Sequence, residues 1–509
     1  MSLIIVFLVV FCITFYLYRS KNVSYWSKKG IPTAPGCNWF FGNYKPILFT
    51  EKHISTLYTD MYRLYPEAPV VGFVKMSTPG LLIRDPDLIK AVLSTDFNSF
   101  GKNEFKIDKK VDKLFGYHPF VLSGEEWKTS RAHSTPSLSY SKLKNYYPVL
   151  LHVGDELIKY LNKGCQETSG SGGVIELETK DLGSMFTTDT ISNAIYGIEN
   201  NTFLDRNSLF AQLAKEVFSG NFFDNMRTMV NALFPEICSI IGVRFASKRS
   251  EAVLLSLTKK MMKEREESTG ETRNDIFQQM LTFRQNGKAD IFTDEYIASH
   301  LYAYLLDGYE TSSILICYAL YELAWHIEVQ DKLRAEVQEM ISRTNGDYTA
   351  EDVEGLKYLN MVVCETLRLN VPLPVMSKEC TSDYTVSDLP GLDKPLEIKN
   401  GTFIIIPVDG LHTDEKYFPS PLKFDPERFT DDEVAKRHKF VYLPFGEGPR
   451  KCLGQRFGLL QSKIAIIKIV ANFHITPSAK SKYPTKVDPA VFLLRRPEGG
   501  AWVNMKPFK

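Results

Sequence analysis

The sequence predicts a mainly α-helical protein, in which one large helical domain with small β-sheets follows an N-terminal membrane anchor. Amphipathic helical patterning runs from residue 54 to about residue 282, and an unusually long apolar helix is expected at residues 293–326. Strand-like alternation is confined to short runs near the C-terminus, such as residues 401–407, and a terminal hairpin is expected around residues 492–503.

Size and composition restrict the class of protein. A chain of 509 residues with 44% hydrophobic content can build one very large core or a few ordinary domains. The formal net charge is +1, and no basic arm or aromatic-basic repeat occurs, which excludes a nucleic-acid-binding function. The 8 cysteines have no paired spacing, as expected of reduced thiols in a protein that faces the cytosol.

The N-terminal segment differs from the rest of the chain. Residues 2–18 carry no charge and are just long enough to span a bilayer. Basic residues follow this run and none precedes it, so the remainder is expected in the cytosol. A cleaved signal peptide is the alternative, but a basic leading region and an Ala-x-Ala site are both missing. We therefore predict a transmembrane anchor at residues 1–20, a Pro/Gly-rich hinge at residues 21–43, a catalytic domain at residues 44–509, and location in the endoplasmic reticulum membrane.

Cys452 lies in a loop of glycines, a proline and two cations ahead of a helical run. Glycines allow backbone N–H groups to approach a sulfur, and the start of a helix after Leu453 favours negative charge. Arg450 and Lys451 favour the same ionised state. The pattern indicates a thiolate that binds a metal; an inert buried cysteine after a glycine turn is the alternative.

The loop resembles the haem-binding loop of the cytochromes P450, a family of haem-thiolate monooxygenases. Its motif, Phe-x-x-Gly-x-Arg-x-Cys-x-Gly, is matched by Phe445, Gly448, Arg450, Cys452 and Gly454. The resemblance implies haem b (iron protoporphyrin IX) with Cys452 as the axial ligand and with Phe445 and Arg450 beside the haem.

The segment from Asp307 to Ser312 in the long helix resembles the oxygen-activating segment of the same family. Oxygen activation needs a supply of protons, which the hydroxyl of Thr311 and the carboxylate of Glu310 can relay with water. Gly308 is expected where oxygen and substrate approach the helix. Taken alone, the pair would more often be a surface carboxylate beside a back-bonded threonine, but its place inside an apolar helix favours the relay. Asp307 departs from the family pattern, which has Ala or Gly there; it could line the pocket and favour a polar or basic substrate, or face a solvent channel.

Further positions match the family motifs that support the haem. Trp127 and Arg131 share a helical face, and their N–H donors suit the two haem propionates. Lys378 stands where many relatives carry a propionate-binding arginine. A lysine ammonium carries the same charge but cannot form the paired hydrogen bonds of a planar guanidinium. By resemblance, Glu365 and Arg368 form a buried ion-pair network with the arginine of the Pro-Glu-Arg-Phe segment, and we assign this network to folding and loop support.

In sequence detail the chain looks most like insect microsomal members of the family. The resemblance implies a monooxygenase that inserts one atom of O2 into a lipophilic substrate, such as a xenobiotic, a hormone or another endogenous lipid. Because no flavin module fits beside the anchor and haem domain, electrons are expected from NADPH-cytochrome P450 reductase, with cytochrome b5 as a further candidate donor. Two alternatives stay open: an isomerase or dehydratase that does not use oxygen, and a degenerate membrane-anchored haem- or lipid-binding protein. Substrate contacts are expected from several segments, including residues 105–120.

Overall fold

The computed structural model describes residues 14, 16, 18–168, 173–218, 222–267 and 275–508. The predicted anchor therefore lies almost entirely outside the described residues. Among those that are described, no helix combines the length and the apolar character that a bilayer crossing requires.

Helices make up most of the described chain, as the sequence predicted. The longer ones are α1 (Ile54–Leu64), α2 (Gly124–Ser134), α3 (Tyr140–Glu167), α4 (Thr179–Ile191), α5 (Leu209–Phe218), α6 (Phe222–Leu233), α7 (Lys248–Glu267), α8 (Ile276–Phe283), α9 (Asp294–Trp325), α10 (Ile327–Arg343), α11 (Lys357–Leu369) and α12 (Gln455–Asn472). Short helices are Tyr25–Lys28, Lys45–Leu48, Pro86–Lys90, Phe97–Phe100, Lys113–Gly116, Pro235–Ile241, Ala350–Gly355, Val408–His412 and Asp431–Ala435. Single π or 3₁₀ turns are Ala91–Thr95, Thr135–Leu138, Ser192–Tyr196, Arg284–Lys288, Pro426–Phe429 and Lys439–Val441.

The strands form small sheets. They are β1 (Val70–Lys75), β2 (Thr78–Ile83), β3 (Ile175–Glu178), β4 (Met376–Glu379), β5 (Tyr384–Val386), β6 (Leu396–Ile398), β7 (Phe403–Ile406), β8 (Phe473–Pro477) and β9 (Trp502–Pro507). One sheet has the order β1-β2-β7-β4, a second β3-β9-β8, and β5 pairs with β6. In the first sheet β2 and β7 are parallel, whereas β1 with β2 and β4 with β7 are antiparallel.

Two compact units divide the chain. The first comprises Met1–Glu104, Leu373–Pro421 and Arg437–Lys451, and the second comprises Phe105–Pro372, Leu422–Lys436 and Cys452–Lys509. The sheet that contains β7 belongs to the first unit, and helices α2 to α12 belong to the second.

In the first unit, the segment predicted as a hinge packs along the sheet. The backbone N–H of Ala34 donates to the carbonyl of Gly72 in β1 at 2.8 Å, and the N–H of Gly72 donates to the carbonyl of Pro32 at 2.8 Å. Arg19 is fully buried, and its guanidinium donates to the carbonyl oxygens of Trp39 at 2.7 Å, Asn38 at 3.0 Å and Met76. Because a buried arginine must find acceptors for its donors, these carbonyls fix the chain immediately after the uncharged run of residues 2–18, at the end of the predicted anchor.

In the second unit, α9 is the long buried helix that the sequence predicted. Thr293 caps it by accepting the backbone N–H of Tyr296 at 3.2 Å, and the acidic residues Asp294 and Glu295 occupy its first turn. Its side chains are buried on most faces. Helix α4 packs closely along it, since a Cβ added to Gly183 would lie 2.9 Å from the carbonyl oxygen of Ser313.

The predicted terminal hairpin is wrong in its pairing. Residues 492–495 form no strand, and β9 instead pairs with β8 and β3. The alternation of residues 492–495 reflects burial of Phe492 and Leu494, while the N–H of Arg495 donates to the carbonyl of Pro372 at 3.0 Å. Side chains that alternate between more and less buried can thus give the sequence pattern of a strand even where the backbone forms no sheet hydrogen bonds.

Candidate active site

Cys452 is the first residue of its segment of the second unit, and its side chain is exposed. Helix α12 follows, with Gly454 at its N-cap, so the thiol lies just before the positive end of a helix dipole, as predicted. An exposed thiol at this place is open to a ligand and is not the inert buried cysteine of the alternative interpretation.

The part of the loop before Cys452 belongs to the first unit. Gly448 has φ 77°, and a Cβ there would lie 1.8 Å from the carbonyl oxygen of Leu93, so this position requires glycine. Arg450 Nε donates to the carbonyl of Gly101 at 2.6 Å. Lys451, in contrast, pairs with Glu447 at 3.1 Å, so its charge is already balanced. Phe445 is half-buried in the same loop.

Trp127 and Arg131 lie on α2, and the side chain of Trp127 is buried. Burial lowers the pKa of the half-buried Arg131, and the negative charge of a Cys452 thiolate opposes this effect. Among the described residues the guanidinium of Arg131 has no carboxylate partner. A desolvated cation without an anion, within electrostatic reach of Cys452, fits the propionate of the implied haem.

Lys378 in β4 is a second cation without an anion, in the first unit. It is buried, and its Nζ donates to Asn103 Oδ1 at 2.7 Å. Burial, with a smaller contribution from the charge of Arg450, lowers the pKa of Lys378 to about 7. No carboxylate pairs with it in the described chain. Because a buried ammonium is normally paired, this lysine also fits an anionic group such as a propionate.

Glu310 and Thr311 are neighbours in α9 but do not contact each other. Thr311 Oγ1 donates to the carbonyl of Asp307 at 2.6 Å, one helical turn earlier. Glu310 is buried and accepts a hydrogen bond from Lys180 Nζ at 2.9 Å. Burial by itself would lower the pKa of Lys180, but the carboxylate of Glu310 raises it above its usual value. Consecutive helical side chains diverge by about 100°, which explains why the acid and the hydroxyl have different neighbours.

Gly308 serves helix packing, which differs from the predicted role. A Cβ at this position would lie 2.5 Å from Ile191 Cδ1 in α4, so the missing side chain lets α4 approach α9. This packing role was not predicted from the sequence, and the expectation that the glycine also leaves room for oxygen and substrate stays a prediction.

Gln461 is a residue that the sequence reasoning missed. It is fully buried in α12, and its Nε2 donates to the carbonyl of Gly308 at 3.0 Å and to Ser312 Oγ at 2.6 Å. Its Oε1 accepts the hydroxyl of Thr190 at 2.8 Å. The amide therefore connects the helix that follows Cys452 with the predicted oxygen-activating segment. The only signal in the sequence is one amide inside an apolar helical run.

The predicted ion-pair network is present in the second unit. Glu365 and Arg368 have no exposed side-chain area, and two guanidinium nitrogens bind the carboxylate at 2.7 Å and 2.8 Å. Arg428 lies 3.5 Å from the same carboxylate, and the backbone N–H of Asp425 donates to it at 2.8 Å. Burial raises the pKa of Glu365, and its hydrogen bonds to Arg368 oppose this rise.

Comparison with known proteins agrees with this arrangement. The family model described as Cytochrome P450 matches residues 32–502. The chain is 31% identical to cytochrome P450 6j1 of Blattella germanica, covering 100% of this chain and 99% of that protein. It is 33% identical to cytochrome P450 6a2 of Drosophila melanogaster, covering 94% of each chain. It is 32% identical to cytochrome P450 6B7 of Helicoverpa armigera, covering 98% of this chain and 97% of that protein.

Proposed function

Since this chain belongs to the cytochrome P450 family and is a haem-thiolate monooxygenase, we propose that it oxidises a lipophilic substrate with electrons from a separate NADPH-cytochrome P450 reductase. The observation that carries the site assignment is the exposed thiol of Cys452 at the start of α12, within electrostatic reach of the unpaired Arg131. Relatives of similar length are insect cytochromes P450, and we propose for this chain a role in xenobiotic or endogenous lipid metabolism.

Several residues of this chain would hold the haem. Cys452 supplies the axial thiolate, and Trp127 and Arg131 supply N–H donors for a propionate. Lys378 and Arg450 supply positive charge in the first unit. Once bound, the haem provides the iron and the electron transfer on which oxygen insertion depends.

Thr311 and Glu310 are the groups that we assign to proton delivery. The hydroxyl of Thr311 is held by the carbonyl of Asp307, with its oxygen lone pairs left to accept a proton from water. Glu310 is bound to Lys180 Nζ at 2.9 Å, so its carboxylate can take part in proton delivery only when this contact loosens. Water would have to connect the two groups, because they do not touch.

The proposed cellular setting follows from the uncharged N-terminal run. We assign the protein to the endoplasmic reticulum membrane, with the catalytic domain facing the cytosol, where a membrane-bound reductase can reach it. Cytochrome b5 is the second candidate electron donor.

A reduced carbon monoxide difference spectrum tests this function most directly. The folded protein should give a red-shifted Soret band, and Cys452→Ser should lose that band. Cys37→Ser is the matched control, because Cys37 belongs to the first unit and Cys452 to the second. Addition of reductase and NADPH should then cause substrate-dependent oxygen consumption. A normal Soret band without oxygen consumption would favour the isomerase or dehydratase alternative, and loss of the band in Cys37→Ser alone would refute the ligand assignment.

A further inference from the structure

We propose that Asp307 and the aromatic cluster beside it bind the positively charged nitrogen of a lipophilic amine, which makes amines the preferred substrate class. This inference rests on the proposed function, because it names a substrate class for the same site. The aromatic cluster consists of Phe105, Phe115, His118, Phe120 and Phe245.

Asp307 is the charged residue that faces outward from an otherwise apolar stretch of α9. Its side chain is 67% exposed, whereas its neighbours Leu306 and Tyr309 are buried. It lies one helical turn before Thr311, and residues at this spacing share a helical face. The carboxylate thus lies on the face of α9 that carries the predicted oxygen-activating hydroxyl.

No lysine or arginine in the described chain forms an ion pair with Asp307. Its partner is the buried imidazole of His118, whose Nε2 lies 3.5 Å from Asp307 Oδ1. The other ring nitrogen, Nδ1, accepts the backbone N–H of Phe120 at 3.2 Å. Because Nδ1 accepts this bond, Nε2 is the ring nitrogen left to face the carboxylate of Asp307.

The aromatic cluster begins at this imidazole. The ring of His118 stacks on Phe115, with centroids 5.2 Å apart and an interplanar angle of 5°. Phe115 packs against Phe245 at 4.0 Å, and Phe245 against Phe105 at 6.0 Å. Phe105 in turn contacts Phe120 at 6.2 Å. Aromatic faces attract cations, and together with a carboxylate they form the usual receptor for an ammonium group.

A buried carboxylate holds the cluster in place. Asp112 accepts the backbone N–H of Phe115 at 2.9 Å, of Phe245 at 2.8 Å and of Ala246 at 2.8 Å. Its side chain is fully buried, so these three bonds stabilise its charge and join two distant segments of the chain. The aromatic cluster that begins at His118, the neighbour of Asp307, is thus preorganised before a ligand arrives. Its exposed ring is Phe120, which is 38% exposed, whereas Phe115 and Phe245 are buried.

A metal ion is the other positively charged ligand that a carboxylate could bind. In the described part of the chain no group of three histidine, cysteine or acidic side chains could hold one. One carboxylate beside one imidazole and several phenyl rings instead suits an organic cation with an apolar body.

Two isosteric probes can test the inference on the haem-loaded protein. Benzyltrimethylammonium carries the charge and cannot coordinate iron, and neopentylbenzene has the same shape without the charge. We expect calorimetric titration to give a dissociation constant about tenfold lower for the cation. Asp307→Asn should abolish this preference and leave neopentylbenzene binding unchanged.

Asp290→Asn is the matched control, because it removes one exposed negative charge from the same unit; it should retain the preference. Equal binding of the two probes by the unchanged protein, or a preference that survives Asp307→Asn, would overturn the inference. The carbon monoxide spectrum of the same preparation separates the outcomes: a missing Soret band refutes the proposed function, whereas a normal band without cation preference refutes only the amine class.

Discussion

The ammonium of Lys180 in α4 lies 2.9 Å from the carboxylate of Glu310 in α9, and both side chains are buried. This ion pair holds in place the acid that the sequence motif assigns to proton delivery. Lys180 also donates to Ser184 Oγ at 2.9 Å, so its own helix fixes its position. Any part that Glu310 takes in proton delivery therefore depends on Lys180, which is far away in sequence.

Replacing Lys180 by Met should destabilise the protein, because Glu310 would remain buried without its counter-ion. Breaking a buried ion pair costs about 3–5 kcal/mol. Denaturant unfolding followed by circular dichroism would measure this change. The double variant Lys180→Met, Glu310→Leu should recover most of the loss, since no charge remains buried. A double variant no more stable than Lys180→Met would contradict this explanation.

Thr311→Ala should uncouple electron use from product formation. Without the hydroxyl, proton delivery becomes less selective, so NADPH oxidation should continue while hydrogen peroxide accumulates. Parallel assays of NADPH, peroxide and product would show the change, which we expect to be about tenfold or more in the peroxide-to-product ratio. Thr311→Ser keeps the hydroxyl and serves as the control. Unchanged coupling in Thr311→Ala would remove this residue from the proton path.

Glu365→Ala should lower stability by about 3–5 kcal/mol, because two buried guanidinium groups would lose their anion. The exposed pair Lys332–Glu427, with an N–O distance of 2.5 Å, provides the comparison. Glu427→Ala should cost less than about 1 kcal/mol, since solvent screens an exposed pair. Unfolding of both variants in urea tests the contrast, and similar losses would contradict a structural role for Glu365.

Lys378 should make haem retention depend on pH. Its pKa is about 7 in the structure and 10.5 in an unfolded chain, so without an anion the folded state loses stability as pH falls from 10.5 to 7. A propionate would raise this pKa, so haem binding takes up a proton and weakens as pH rises above 7. We expect faster haem loss at pH 9 than at pH 7, followed by the Soret absorbance. In Lys378→Arg the charge persists over this pH range, so the rate of haem loss should depend less on pH. If it depends on pH as steeply as in the unchanged protein, Lys378 is not the source of the effect.

Arg131→Ala should weaken haem retention through loss of a charge-assisted hydrogen bond worth about 1.5–3 kcal/mol, which corresponds to roughly 10-fold to 100-fold in affinity. Transfer of haem to excess apomyoglobin would report the rate of loss. Lys128→Ala, on the same helix, removes an exposed lysine paired with Glu125 and should leave the rate unchanged. An equal effect of both variants would indicate a general disturbance of α2.

The elements that the sequence predicted well depend on local patterns. The cap at Thr293, the length of α9 and the helix after Cys452 are each encoded within a few turns of the chain. The buried pair of Glu365 and Arg368 was predictable from the family motif. The partners of Glu310 and Gly308 were not, because Lys180 and Ile191 reach them from another helix. Gln461 gave only a weak signal for the same reason, since its three partners lie on α4 and α9.

Arg19 ties the start of the described chain to the first unit and so shortens the segment that could act as a tether. Its guanidinium is bound to the carbonyls of Asn38, Trp39 and Met76, so residues 20–37 form a closed loop. Lengthening this loop would not extend the reach of a tether, and each doubling of its length would cost only about 0.6 kcal/mol of closure entropy. A mechanical pull on the N-terminus would act through Arg19 on Asn38, Trp39 and the turn between β1 and β2, and would bypass the proline-rich segment.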